Sequence, residues 1–133
     1  MKKPRFKRNV FNVKKLKFWA KQVKRRDKFK CFACGRNGYL HSHHILPKSK
    51  FKKYCYDVWN GITLCKSCHV GPNGVHGSKK SRNNIVLTLR ELMTKGSKTK
   101  VIDFLKLKGI NLKYTKYSTY KKPLKRNFKR KLY

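Results

Sequence analysis

Residues 31–69 read CFACGRNGYLHSHHILPKSKFKKYCYDVWNGITLCKSCH, and the rest of the chain is read outward from them. Cys31 and Cys34 form one C-x-x-C pair; Cys65 and Cys68 form a second, about 30 residues further on. Each pair presents two thiolates from one tight turn, and four thiolates make the tetrahedral set that zinc prefers. The four cysteines therefore predict a structural Zn2+ site with no position left open for chemistry. The competing use of such a pair, thiol–disulfide exchange, normally comes within a βαβ pattern, which is missing here. A structural zinc contributes on the order of 10 kcal/mol of folding free energy.

That contribution matters because the chain has little else to hold it. Only 38% of its 133 residues are apolar, and a core that small usually needs a staple. Lys and Arg number 38 against four acids (Asp27, Asp57, Glu91 and Asp103), a formal charge of +34. A chain so charged repels itself when free. It implies a polyanionic partner, DNA or RNA, whose counterions are released on binding. No apolar run approaches the roughly 20 residues needed to span a bilayer, and the basic residues do not face one long apolar stripe, so no membrane partner is expected. Of five cysteines, four pair as metal ligands, which fits a reducing, cytoplasmic compartment rather than a disulfide framework. Cys55 is left over and reads as a small, partly buried thiol. The N-terminus lacks the apolar segment of a secretory signal.

Outside the central stretch the pattern is helical. Residues 1–11 form a basic arm with Pro4. Asn12 is placed to cap a helix ending near Asp27, with Val13, Leu16, Trp19, Ala20 and Val23 on one face and Lys14, Lys15, Lys17, Lys21, Lys24 and Arg25 on the other. Tyr39 to Leu46 is strand-like and ends at Pro47, and residues 48–56 form a basic, aromatic loop or short helix. Gly61 to Leu64 is a second strand, and Cys65 to Val70 starts a helix that Gly71-Pro72-Asn73-Gly74 breaks. Ser81 is a candidate cap for a helix with an apolar stripe at Ile85, Val86, Leu89, Leu92 and Met93, which Gly96-Ser97 stops. Thr99 to Lys108 forms the last helix, with Val101, Ile102, Leu105 and either Phe104 or Leu107 facing inward and Gly109 ending it. Beyond Asn111 the chain is Tyr, Lys and Arg without periodicity, an arm expected to order on its partner. The expected division is a basic arm at 1–11, a zinc-stapled unit with flanking helices at 12–95, and a helix with a basic tail at 96–133.

The histidines inside the staple carry the chemistry. His43 and His44 are adjacent, so on an extended strand their side chains point to opposite faces and cannot share one job. One can hold a metal while the other faces a water. His69 follows Cys68, so the knuckle fixes its backbone; if the four thiolates share one zinc, His69 can come near the strand bearing His43. His41 reads as a surface strand residue.

The run His43-His44-Ile45-x-Pro47, then Asn60-Gly61-Ile62-x-Leu64-Cys65-x-x-Cys68-His69, resembles the HNH endonuclease motif with the four-cysteine zinc site that many members carry. Much of the likeness is to phage and intron-encoded members. The helix with Trp19 and the approach Arg26-Asp27-x-Phe29-x-Cys31 are similar too, so the resemblance covers roughly residues 16–77. It implies an α+β protein: a small ββα-metal core with a four-cysteine knuckle, flanking helices and basic tails. It also implies hydrolysis of DNA phosphodiester bonds, nicking or cutting, with a 5′-phosphate and a 3′-hydroxyl as products. On this likeness His43 and His69 are ligands of a catalytic Mg2+ or Mn2+, His44 is the general base, and Asn60 holds the hairpin loop and so orients His44. The chain departs from the family in two places. Many relatives have an acid where His43 stands, and an acid suits Mg2+ better than imidazole does. Histidine-rich relatives place another histidine one turn beyond the last ligand; here Asn73 stands there, and His76 follows after GPNGVHG. His76 is thus a further candidate ligand, with a glycine-flanked phosphate contact or no role at all as its other readings. The alternative function is a catalytically inactive zinc-ribbon or HNH-fold protein bound to RNA or ribosomes. The charge density and the Lys/Tyr tail support it; the set His43-His44, Asn60 and His69 argues against it, since a ribbon alone has no use for them.

Overall fold

A computed structural model describes residues 11–110; the tail from 111 and all of the N-terminal arm except Phe11 lie outside the described residues. The first helix, α1, spans Val13–Arg26, and Asn12 caps it by accepting the Lys15 backbone N–H at 3.0 Å. Its apolar spacing buries Trp19 and Val23 and half-buries Leu16 and Ala20. Val13, expected on the same face, is 55% exposed, because the first turn lies ahead of the packed layer. The chain reverses out of α1 through Lys28 and Phe29, both left-handed (φ 58° and 55°), with the Phe29 N–H donating to Lys24 O at 2.9 Å. Neither residue is glycine, so this turn stores about 1–2 kcal/mol per residue.

A buried ion pair holds that end of the helix. The side chains of Arg26 and Asp27 are each 2% exposed and joined by two bonds, Nε to Oδ1 at 2.9 Å and Nη2 to Oδ2 at 3.1 Å. Arg26 also donates to the carbonyls of Val58 at 3.0 Å and Gly61 at 2.7 Å, while Asp27 Oδ2 accepts the Thr63 N–H at 2.9 Å. Buried charges persist only when paired and hydrogen-bonded in this way. The node fixes α1 to the hairpin that follows.

That hairpin is β1 (Leu40–His44) antiparallel to β2 (Gly61–Cys65), in the register Leu40↔Cys65 through His44↔Gly61. β1 is shorter than the pattern from Tyr39 to Leu46 suggests. Ile45 and Leu46 leave the ladder and bond instead to Asn60, at its backbone O (3.2 Å) and its Oδ1 (2.7 Å). The connection contains single 3-10 turns at Lys52–Tyr54 and Val58–Asn60. One face of the hairpin takes α1, close enough that a Cβ on Gly61 would lie 2.5 Å from Val23 and 2.6 Å from Trp19. The other takes the short α2 (Lys66–Val70).

Two further helices, α3 (Asn84–Lys95) and α4 (Lys98–Leu107), complete the core. Asn83, not Ser81, caps α3: its Oδ1 accepts from Ile85 N and Val86 N, while Ser81 Oγ accepts from Asn83 N one step earlier. Ser97 both follows the break and caps α4, so that helix starts at Lys98 rather than Thr99. Ile45, Leu46, Ile62, Leu64, Leu89, Val101 and Leu105 are fully buried together; Phe104 faces inward and Leu107 is 85% exposed. Cys55 is wholly buried rather than partly so. Among the described residues no helix is long and apolar enough to cross a membrane. The result is an α+β architecture whose small sheet is covered on both faces.

Candidate active site and metal centre

The thiols of Cys31, Cys34, Cys65 and Cys68 converge, their sulfurs all within 4.8 Å of one another and Cys34 Sγ 3.7 Å from Cys65 Sγ. Four sulfurs at about 2.3 Å from a tetrahedral Zn2+ stand about 3.8 Å apart, so the cluster fits that ion. The knuckle is closed by Cys31 N–H to Arg36 O and Gly35 N–H to Cys31 O. Burial raises the Cys34 and Cys68 thiols. Burial works against Cys65 as well, yet hydrogen bonds from the Cys68 N–H and the neighbouring thiols bring it down to about 7.

A second cluster lies on the α2 face of the hairpin. His43, His69 and His76 offer ring nitrogens within 4.8 Å of one another. His43 is 3% exposed and its Nε2 has no hydrogen-bond partner. Such an orphaned buried nitrogen is costly, and a cation would satisfy it, so the residues fit a divalent metal. Burial, then the neighbouring His69, His76 and His44, hold His43 well below its ordinary value. Burial, then His76 and His41, takes His69 to about 4, and burial lowers His76 too. All three rings are thus neutral at pH 7, the form in which imidazole ligates.

His76 reaches the cluster through the loop after α2. The N–H groups of Val75 and His76 bond the carbonyls of Cys68 (2.8 Å) and His69 (2.9 Å), and a Cβ on Gly74 would lie 2.5 Å from Ser67 O. Arg90 of α3 holds this loop from behind, donating to Gly74 O at 2.6 and 3.1 Å and to Lys79 O at 2.8 Å. Asn73 is not in the cluster; it bonds Lys80 O. The sequence offered no sign of Arg90, whose role depends on how α3 returns to the loop.

His44 sits on the opposite face, against α1. Its ring stacks on Trp19 at 3.8 Å and 4°, and its Nε2 lies 2.8 Å from Cys55 O. A carbonyl only accepts, so Nε2 carries the proton and Nδ1 keeps a free lone pair. Burial takes His44 down to about 4, with the Cys55 carbonyl opposing and Lys48 adding to the shift. Asn60 is completely buried and clamps the hairpin connection, with Nδ2 donating to Leu46 O (3.1 Å) and Tyr54 O (3.3 Å) besides the bond to Leu46 N. A cleft of about 330 Å³ brings His43, His44, His69 and His76 to one opening, with Lys48 and Ser49 at its side.

His41 departs from the surface role expected of it. It is half-buried, its Nδ1 is 2.7 Å from His69 Nδ1, and Tyr39 meets its ring edge-on at 5.2 Å. The period-2 rule that puts His41 on the same strand face as His43 was the signal for this.

Residues 31–73 match the family model described as HNH endonuclease, the family that the motif resembles. The match spans the four cysteines, His43, His44, Asn60 and His69, and stops short of His76. The match covers about a third of the chain, so what it shows is that this central segment is similar to HNH endonucleases, a likeness that suggests a nuclease or otherwise nucleic-acid-related function. No curated protein and no solved structure matches the chain.

Proposed function

We propose that the protein is a metal-dependent endonuclease that hydrolyses DNA phosphodiester bonds, nicking when one molecule acts alone. One observation carries this reading: a single cleft is lined both by His44, whose Nε2–H is spent on the Cys55 carbonyl so that Nδ1 is its basic nitrogen, and by His43, whose buried Nε2 has no partner. His44 takes the proton of the attacking water at Nδ1. Trp19 fixes the plane of its ring, the Cys55 carbonyl fixes its tautomer, and Asn60 holds the turn that supplies that carbonyl's neighbours. His43, His69 and His76 would hold the divalent ion. When bound, that ion supplies charge neutralisation at the scissile phosphate and the leaving 3′ oxygen. Three imidazoles without a carboxylate suit Mn2+ or a softer first-row ion better than Mg2+. Water adding to phosphorus and release of the 3′ oxygen leave a 5′-phosphate and a 3′-hydroxyl.

The exposed stripe Lys14, Lys17, Lys21 and Arg25 on α1 lies on the helix face opposite the buried Trp19 and Val23. It supplies sequence-independent phosphate contacts, which set affinity and register rather than site choice. Four reduced thiols as zinc ligands suit the cytoplasm. The test is a supercoiled-plasmid assay of zinc-loaded protein with Mg2+, Mn2+ or EDTA, beside a structured RNA of similar length. Nicking of the plasmid that needs added metal supports the proposal. Retention of both nucleic acids without cleavage under any metal refutes it and favours a binding role.

A further inference from the structure

The catalytic reading leaves His41 without a task, although its ring touches the metal cluster. His41 is two residues from His43 on the same strand face, yet it is not one of the three histidines whose nitrogens converge. Its Nδ1 faces the Nδ1 of His69 at 2.7 Å, with the two rings nearly perpendicular (85°). A hydrogen bond between two ring nitrogens requires one to carry the proton and the other to be bare. If His69 binds a cation through Nε2, its Nδ1 must be the protonated partner. His41 Nδ1 must then accept.

The geometry points to His41 as a positioning residue for the metal site: it accepts the Nδ1–H of His69 and so holds the His69 Nε2 lone pair toward His43 and His76. Metal-bound histidines commonly donate their other N–H to a carboxylate, a carbonyl or water, which fixes the ring and strengthens the ligand. This chain has only four acids, and none is among the residues lining the cleft, so a second imidazole takes that place. Tyr39 meets the His41 ring edge-on from just before the strand's start.

The inference rests on the three-histidine reading and is tested by metal affinity. Zinc-loaded full-length protein is titrated with Co2+, followed by its visible d–d absorption. The absence of a thiolate charge-transfer band shows that the four-cysteine site keeps its zinc. His41→Ala is expected to weaken Co2+ binding about 10- to 100-fold. His41→Asn places a carbonyl oxygen near the position of Nδ1 and is expected to return affinity to within about threefold of wild type, because the acceptor is restored. Circular dichroism confirms that both variants fold. Wild-type affinity in His41→Ala overturns the proposal. So does a His41→Asn variant as weak as His41→Ala, since the ring itself would then be what matters. His69→Ala separates the two levels. If it too binds Co2+ as wild type does, the three-histidine site is wrong and the inference falls with it; if it loses Co2+ while His41→Ala does not, only the inference falls.

Discussion

Asn60→Ala removes the clamp of the hairpin connection, and its cost can be worked from the bonds. Three buried or half-buried backbone groups lose their side-chain partner: Leu46 N–H (2.7 Å), Leu46 C=O (3.1 Å) and Tyr54 C=O (3.3 Å). A stranded buried donor costs about 1–3 kcal/mol, and the two carbonyls, the second of them weakly bonded, add less. The sum is about 3–4 kcal/mol, a large part of the roughly 5–15 kcal/mol that holds a small domain. Urea unfolding at constant zinc should show that loss with an unchanged denaturant slope. Asn60→Asp keeps the acceptor for Leu46 N–H but aims a carboxylate at two carbonyls. Its folded pKa is therefore raised, and its stability should fall as pH rises from 5 to 8. Cleavage by Asn60→Ala, measured where it is still folded, should fall further than stability explains, because Leu46 is two residues from His44. A loss below about 1 kcal/mol, the worth of a single ordinary hydrogen bond, would refute the clamp.

Three other outcomes are expected. Asp27→Asn leaves the buried Arg26 guanidinium short of its counter-charge and should destabilise by about 3–5 kcal/mol in the same unfolding assay. Arg90→Met keeps the stem of the side chain but drops the bonds to Gly74 O and Lys79 O; it should cost about 1.5–3 kcal/mol and weaken Co2+ binding at the histidine cluster, leaving the zinc content unchanged. Cys65→Ser should abolish the bound zinc, read by metal analysis, and with it the cooperative thermal transition, since the four-cysteine site supplies much of the folding free energy.

The local signals and the long-range ones were unequally legible. The helix at α1, the two strands and the pairing of the cysteines follow from periodicity and ligand spacing, which are properties of neighbouring residues. The opposite orientations of His43 and His44 follow from strand geometry alone. The cap of α3 was misplaced by two residues because Ser81 and Asn83 are both good caps, and only the bond from Asn83 N to Ser81 Oγ shows which one the chain uses inside the other. His76 remained one candidate among several roles because its arrival depends on a loop whose closure Arg90 enforces from α3. Strand alternation puts His41 on the face of His43, but its contact with His69 depends on how α2 lies across that face, which no local pattern encodes. The buried Arg26–Asp27 pair lay in a recognisable motif, but its links to Val58, Gly61 and Thr63 are tertiary.

The central claim is that His44 activates the water while the rest of the cleft binds. The most direct measurement is the single-turnover cleavage rate of His44→Ala on a DNA duplex, taken with its affinity for the same duplex at matched zinc content. The account expects the rate to fall by about 10²–10⁴ with the affinity unchanged. A His44→Ala variant that cuts at the wild-type rate would contradict it.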